Sequence, residues 1–126
     1  MTFKGIKGKC WKLVKIYVRL REKDCYTCPA KNLEGQNAQA GHYRPVALVG
    51  ANNYRAWDER FIHLQCGKCN GPGQGEQANY KAHLIADYGR DIVDEYDRQV
   101  ASKAYAAIKN WQTIIDRYQT LIATYA

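Results

Sequence analysis

Four cysteines, a histidine and an asparagine carry the chemistry this sequence can do. Cys25-x-x-Cys28 and Cys66-x-x-Cys69 form two CxxC pairs. Each pair can set two thiolates on one tetrahedral ion, and four thiolates complete a closed structural zinc site. The 37 residues between the pairs exceed short zinc-ribbon spacing, so one Zn2+ would tether two distant segments and replace part of a hydrophobic core. Four unligated buried cysteines are the plainer alternative, and the paired spacing weighs against it. A redox CxxC is disfavoured because neither pair sits between a recognisable strand and helix. A zinc ion with four thiolates has no open position for water, so any hydrolysis needs other residues.

Those residues are His42, between the knuckles, and Asn70, directly after the second one. A zinc clasp would let the two approach each other. A neutral imidazole can take a proton from water near pH 7, and an amide oxygen is a hard ligand for Mg2+. Arg44 could grip a phosphate bidentately, the alternative being a surface arginine. Arg55 and Arg60 flank the following loop and strand and are weaker candidates. His63 could orient the site, touch DNA, or be a satisfied structural histidine, and His83 is expected to be structural. Asp58 is a minor candidate for an acidic metal ligand. The glycine-rich Gly71–Gly75 segment could cradle phosphates through backbone N–H groups or be a plain connector.

Charge is one-sided. Residues 1–23 hold eight basic side chains against Glu22 alone, which accounts for the whole net charge of +7. Lys12, Lys15 and Arg19 are the candidates there for phosphate contacts, so DNA is the expected polyanion. A solvated helix face is the alternative. Met1 opens a basic stretch with no long apolar run, so neither a secretory signal nor a membrane span is expected. A cytoplasmic protein in a reducing compartment fits five cysteines better as metal ligands than as disulfides. Cys10, the odd one, reads as a small core residue.

The elements that must position these groups follow from periodicity. One domain is expected over 1–126, with an N-terminal basic arm and helix to residue 24, a zinc core over 25–89 and C-terminal helices over 90–126. Within it, residues 1–8 read as a frayed arm and 9–23 as a helix. Ala40–Tyr43 and Trp57–Leu64 read as the strands of a hairpin, with an irregular loop over 45–53. Tyr80–Tyr88 reads as a helix closed by Gly89, continuing helically over 90–99. From Ala101 a heptad-like seam runs through Ala104, Ile108, Trp111, Ile115, Tyr118 and Leu121/Ile122 to Tyr125. That seam packs on the N-terminal helix or, alternatively, forms a homodimer contact.

The string CxxC…AGHYR…IHxQCxxCN…G…Y…L…G, carried by Cys25, Cys28, Gly41, His42, Tyr43, Arg44, Ile62, His63, Gln65, Cys66, Cys69, Asn70, Gly75, Tyr80, Leu84 and Gly89, closely resembles the NinG (Rap) recombination nucleases of lambdoid phages. More distantly it is similar to phage endonuclease VII and the HNH, or His-Me finger, superfamily. The resemblance implies an α+β fold with a zinc-stapled ββα-metal core flanked by N- and C-terminal helices. It implies an endonuclease with His42 as general base and Asn70 as ligand of a catalytic Mg2+ or Mn2+. It further implies branched DNA such as Holliday junctions as substrate, and phage recombination proteins as partners. Two positions depart from the superfamily. Gly41 stands where many HNH enzymes have an acidic metal ligand. Phe61 stands at the middle Asn, which leaves a backbone carbonyl or a nearby side chain to orient His42. A non-catalytic zinc-knuckle DNA-binding adaptor would keep the cysteines and the basic helix without needing His42 and Asn70 together. An HNH nuclease or nickase on ordinary duplex DNA is the third reading.

Overall fold

The computed structural model describes residues 3–126. Helix α1 spans Gly5–Arg21, because Cys10, Val14, Tyr17 and Val18 recur at helical spacing and are buried. It begins before the predicted residue 9, and the expected frayed arm is ordered from Phe3, whose ring packs on Trp11 and Trp57. Residues 1 and 2 of that arm lie outside the described residues. The helix stops where Glu22 turns extended and sends its carboxylate inward, accepting from the backbone N–H of Leu64 at 3.1 Å.

Two short strands, β1 (Gln39–His42) and β2 (Ile62–Gln65), pair antiparallel with Gly41 opposite His63. At that pair the buried hydroxyl of Tyr80 donates to Gly41 O at 2.6 Å and accepts from His63 N–H at 2.7 Å. The returning strand is much shorter than predicted. Residues 54–57 and 59–61 are instead turns of 3₁₀ helix, each entered through an Asx bond from Asn53 or Asp58. The segment expected to be an irregular loop contains a single helical turn, α2 (Val46–Val49). Another single turn, α3 (Gly67–Asn70), carries the second knuckle.

Helix α4 (Gln77–Tyr88) ends at Gly89, whose φ of +94° lets the chain turn directly into α5 (Arg90–Ala101). The continuous C-terminal seam does not form. Residues 102–111 leave the helix because their backbone is captured by the 52–55 segment. Tyr54 N–H donates to Ala106 O, Ile108 N–H to Asn52 O, and Arg55 to Ala104 O. Ala101, Ala104 and Tyr125 are exposed. Helix α6 (Gln112–Ala123) then packs on α1, burying Ile114, Ile115 and Tyr118 within its own chain. The hairpin therefore sits between α1 and α4, and one contiguous buried cluster joins residues of both strands to α1, α4, α5 and α6. Cys10 belongs to that core.

Candidate active site

The thiols of Cys25, Cys28, Cys66 and Cys69 all lie within 4.8 Å of one another, with Cys28 and Cys66 sulfurs 3.7 Å apart. A tetrahedral ion with Zn–S bonds of about 2.3 Å needs sulfurs just under 4 Å apart, so the cluster fits a zinc ion. The cluster has its own small buried patch, with Cys28, Ala30 and Leu33 packed against it. Burial pushes the Cys25 thiol upward. Hydrogen bonds from Cys66 N–H and Thr27 outweigh that and hold it near a pKa of about 6, favouring the thiolate that binds metal. The knuckles thus bring the start of the zinc core and the end of β2 together.

Above the hairpin lies a cleft of about 730 Å³ lined by Trp11, Lys15 and Arg19 of α1, His42 at the end of β1, Asn70 at the end of α3, and Gln74 and Gly75 beyond it. Among the described residues this surface carries two cations and several amides and no carboxylate.

His42 is held from two sides. Its ring stacks on Trp11, with centroids 5.2 Å apart and planes 11° from parallel. Trp11 is in turn wedged by the rings of Phe3 and Trp57. Nε2 lies 2.8 Å from Ala56 O. A carbonyl only accepts, so Nε2 carries the proton and Nδ1 keeps its lone pair. Among the described residues Nδ1 has no hydrogen-bond partner, and it is shielded from bulk solvent. Burial lowers the imidazole pKa to about 4, against a smaller opposing pull from Ala56 O, so the ring is neutral at physiological pH. The group that orients the ring is therefore a backbone carbonyl. Phe61 itself is a core residue stacked on Tyr96 at 3.8 Å.

Asn70 faces the same place. Its Nδ2 donates to Gln39 Oε1 at 2.9 Å, and Gln39 Nε2 donates to Gln36 O at 2.8 Å. This relay leaves Asn70 Oδ1 pointing at Gly41, 2.9 Å from where a Cβ on that glycine would stand. His42 and Asn70, 28 positions apart in sequence, thus line one cleft. Lys15 and Arg19 join them on the cleft wall, and Arg19 is fixed by a bond from Nε to Ala38 O at 3.0 Å.

Other sequence candidates lie elsewhere. Arg44 is committed to Asp97 at 3.0 Å and to Gln77 at 2.6 Å, stacked on Tyr43, and does not line the cleft. Arg55 is spent on Gln99 and Ala104 O. Lys12 is exposed on α1 outside the cleft lining. His63 is buried beneath the hairpin with its nitrogens on Glu22 and Arg60 O and its ring stacked on Tyr26 at 3.8 Å, which makes it structural. Asp58 caps the 59–61 turn and pairs with Arg60, far from an acidic-ligand role. His83 is exposed beside Tyr26. The Gly71–Gly75 segment is a connector. The N–H groups of Gly71, Gly73, Gln74 and Gly75 all donate to protein carbonyls, so no nest remains for a phosphate.

Trp11 and Gln65 were missed as site residues. Trp11 carries no signal apart from lying four residues before Lys15 on the same helix face. Gln65 stands in the family string with no role attached. In the structure it is fully buried, its Nε2 donates to Thr27 Oγ1 at 2.9 Å and Gly75 O at 3.0 Å, and its Oε1 has no partner among the described residues.

A cluster of four cysteines that could hold a zinc ion, beside a two-stranded hairpin and a cleft carrying Lys15 and Arg19, defines a small mixed α+β protein. A family model described as Bacteriophage Lambda NinG protein matches residues 3–125, and the chain belongs to the NinG family. Its curated relatives include Protein ninG of Enterobacteria phage H19B, 34% identical over 84 residues, which cover 67% of this chain and 40% of that protein. Protein ninG of Escherichia phage lambda is 33% identical over the same shares, and that of Salmonella phage P22 is 34% identical. The chain thus spans about 40% of the length of the curated relatives it matches. No solved structure matches it. Among the described residues no helix is long and apolar enough to cross a membrane.

Proposed function

We propose that this protein is a metal-dependent DNA endonuclease of the HNH, or His-Me finger, kind, which hydrolyses phosphodiester bonds in branched recombination intermediates in the host cytoplasm. One observation carries the reading: a neutral imidazole whose Nδ1 has no partner among the described residues lines the same cleft as an oriented amide oxygen, and the charged side chains among the described residues lining that cleft are cations. A binding adaptor would have no use for a histidine braced by a carbonyl and a tryptophan so that one nitrogen stays unpartnered. The order hairpin, knuckle turn, helix also supports a ββα-metal core, with Asn70 on the turn that follows β2.

In this mechanism Lys15 and Arg19 hold phosphates of the substrate along the cleft wall. His42 Nδ1 takes the proton of a water admitted beside it as that water's oxygen bonds to phosphorus and the P–O3′ bond breaks, the leaving 3′ oxygen taking a proton from solvent water, and the Ala56 carbonyl steadies the Nε2–H as the ring becomes an imidazolium. Positioned base assistance of this kind contributes about 10²–10⁴-fold. Asn70 Oδ1 is a hard oxygen donor suited to Mg2+ or Mn2+. Such an ion, when bound, supplies charge neutralisation at the phosphate and steadies the leaving 3′ oxygen. The products are a 5′ phosphate and a 3′ hydroxyl.

The test is incubation of purified protein and Mg2+ with a labelled four-way junction and, beside it, a linear duplex, for wild type and His42→Ala. Wild type should cut the junction preferentially, and His42→Ala should lose at least about 100-fold in rate while keeping its zinc. A shifted but uncut junction with wild type makes the protein an adaptor. Equal cutting of the linear duplex removes the branched-DNA preference, and an active, zinc-loaded His42→Ala removes His42 as base.

A further inference from the structure

The nuclease reading leaves one gap in the site. Gly41 stands where an acidic metal ligand would be expected, and Asn70 alone is a sparse protein contribution for a hard cation, which takes six or more oxygens. The structure fills the gap from the neighbouring strand. A Cβ built on Gly41 would fall 1.8 Å from Gln65 Oε1 and 2.9 Å from Asn70 Oδ1. The glutamine oxygen occupies the space in which a side chain of residue 41 would begin, so no larger residue fits at 41 while Gln65 keeps this position.

The orientation of that amide is not free. Gly75 O is only an acceptor, so the group facing it at 3.0 Å is Nε2, which also donates to Thr27 Oγ1. Oε1 must then face Gly41 and Asn70. It is fully buried and unsatisfied, a costly arrangement for an amide oxygen unless something occupies the space beside it. Asn70 is oriented by the same logic through Gln39 and Gln36 O. Two independently fixed amides thus bring their oxygens together over Gly41, the residue before His42, and each has its nitrogen tied off on another partner.

Resting on the nuclease reading, we infer that Gln65 Oε1 is the second protein ligand of the divalent cation, paired with Asn70 Oδ1 and replacing the carboxylate that Gly41 cannot provide. The ligand pair is neutral. A carboxylate-free site binds a divalent cation weakly by itself and gains most of its attraction from the phosphates of bound DNA. The cation and DNA therefore bind cooperatively, each raising the affinity for the other by the same factor.

The experiment titrates Mn2+ into zinc-loaded protein, followed by the loss of free-Mn2+ electron paramagnetic resonance signal, with and without a four-way junction. His42→Ala serves as the cleavage-dead background. Mn2+ affinity should rise at least 10-fold when the junction is present, and Gln65→Met should lose at least 10-fold in that ternary affinity while retaining zinc and DNA binding. Unchanged Mn2+ affinity in Gln65→Met overturns the assignment. If Gln65→Met does not fold, anomalous scattering from Mn2+-soaked crystals of the His42→Ala junction complex decides. An ion within about 2.2 Å of Gln65 Oε1 supports the inference. An ion on Asn70 without Gln65, a water only at Oε1, or no bound ion overturns it. The two proposals fail separately: Mn2+ held by Gln65 with no cutting by wild type sinks the nuclease, and cutting with Mn2+ binding indifferent to Gln65 sinks the ligand.

Discussion

Trp11 and His42 lie face to face, 5.2 Å between ring centroids and 11° from parallel, although one belongs to the N-terminal helix and the other to a strand after the first knuckle. The indole covers one face of the imidazole and contributes to the burial that lowers its pKa to about 4. Trp11→Ala should let water reach the ring and move the His42 pKa up toward the ordinary value of about 6.5. A histidine Cε1–H titration by NMR reads this directly. A His42 resonance that still titrates near 4 in the variant would show that the stack is not what desolvates the ring.

The same lowered pKa sets two pH dependences. As a base, His42 needs its lone pair, so cleavage should hold its plateau through pH 6 and fall only as pH approaches about 4, where the folded ring protonates. For stability, the unfolded chain binds a proton at about pH 6.5 and the folded one does not until near 4. The contribution of this group is therefore complete above pH 6.5 and is lost as pH falls through that window, by at most about 3 kcal/mol. Denaturant melts of wild type and His42→Gln between pH 7 and 4 should diverge in that direction. Parallel curves would contradict it.

Lys15 and Arg19 line the cleft, whereas Arg44 is paired with Asp97. Lys15→Gln and Arg19→Gln should each reduce the log–log salt slope of DNA binding by about 1. Arg44→Gln should leave the slope unchanged and instead cost about 1–3 kcal/mol of stability, because Asp97 also anchors Tyr43 and Lys81. A slope that drops with Arg44→Gln would return that residue to the DNA interface.

Tyr80 satisfies one carbonyl and one N–H of the hairpin at the same pair of residues. Tyr80→Phe would leave both buried and unpaired, at a cost of about 2–4 kcal/mol. Urea melts measure it. A loss under about 0.5 kcal/mol would mean the strands close directly on each other when the hydroxyl is gone.

Purified protein should carry one zinc per chain by elemental analysis. Cys66→Ser should lose it and most of its cooperative unfolding, since structural zinc in small domains supplies about 10–16 kcal/mol. Asn70 follows Cys66 on the same helical turn, its N–H bonded to Cys66 O at 3.0 Å. A zinc-free wild type with an unchanged melt would dispose of the staple.

Local spacing carries its own physics, and the sequence alone settled what depends on it. The two CxxC pairs pointed to a metal cluster because thiolates with two residues between them can reach one ion. Leu13, Val14, Tyr17 and Leu20 announced α1, and Gly89 the break between α4 and α5. The family string marked Gly41, His42, Asn70 and even Gln65. Other features depended on contacts between remote backbone atoms. The seam after Ala101 has sound heptad spacing, yet carbonyls of residues 104 and 106 are claimed by Arg55 and Tyr54, and no periodicity encodes that competition. Arg44 reads as a phosphate grip until Asp97, 53 residues away, neutralises it. Which nitrogen of His42 is free is settled by the carbonyl of Ala56, and carbonyls are the same in every residue. The direction of the Gln65 amide is settled likewise by Gly75 O. Side-chain type and spacing are written in the chain, but which lone pair is left over is decided only when distant main-chain groups have taken their partners.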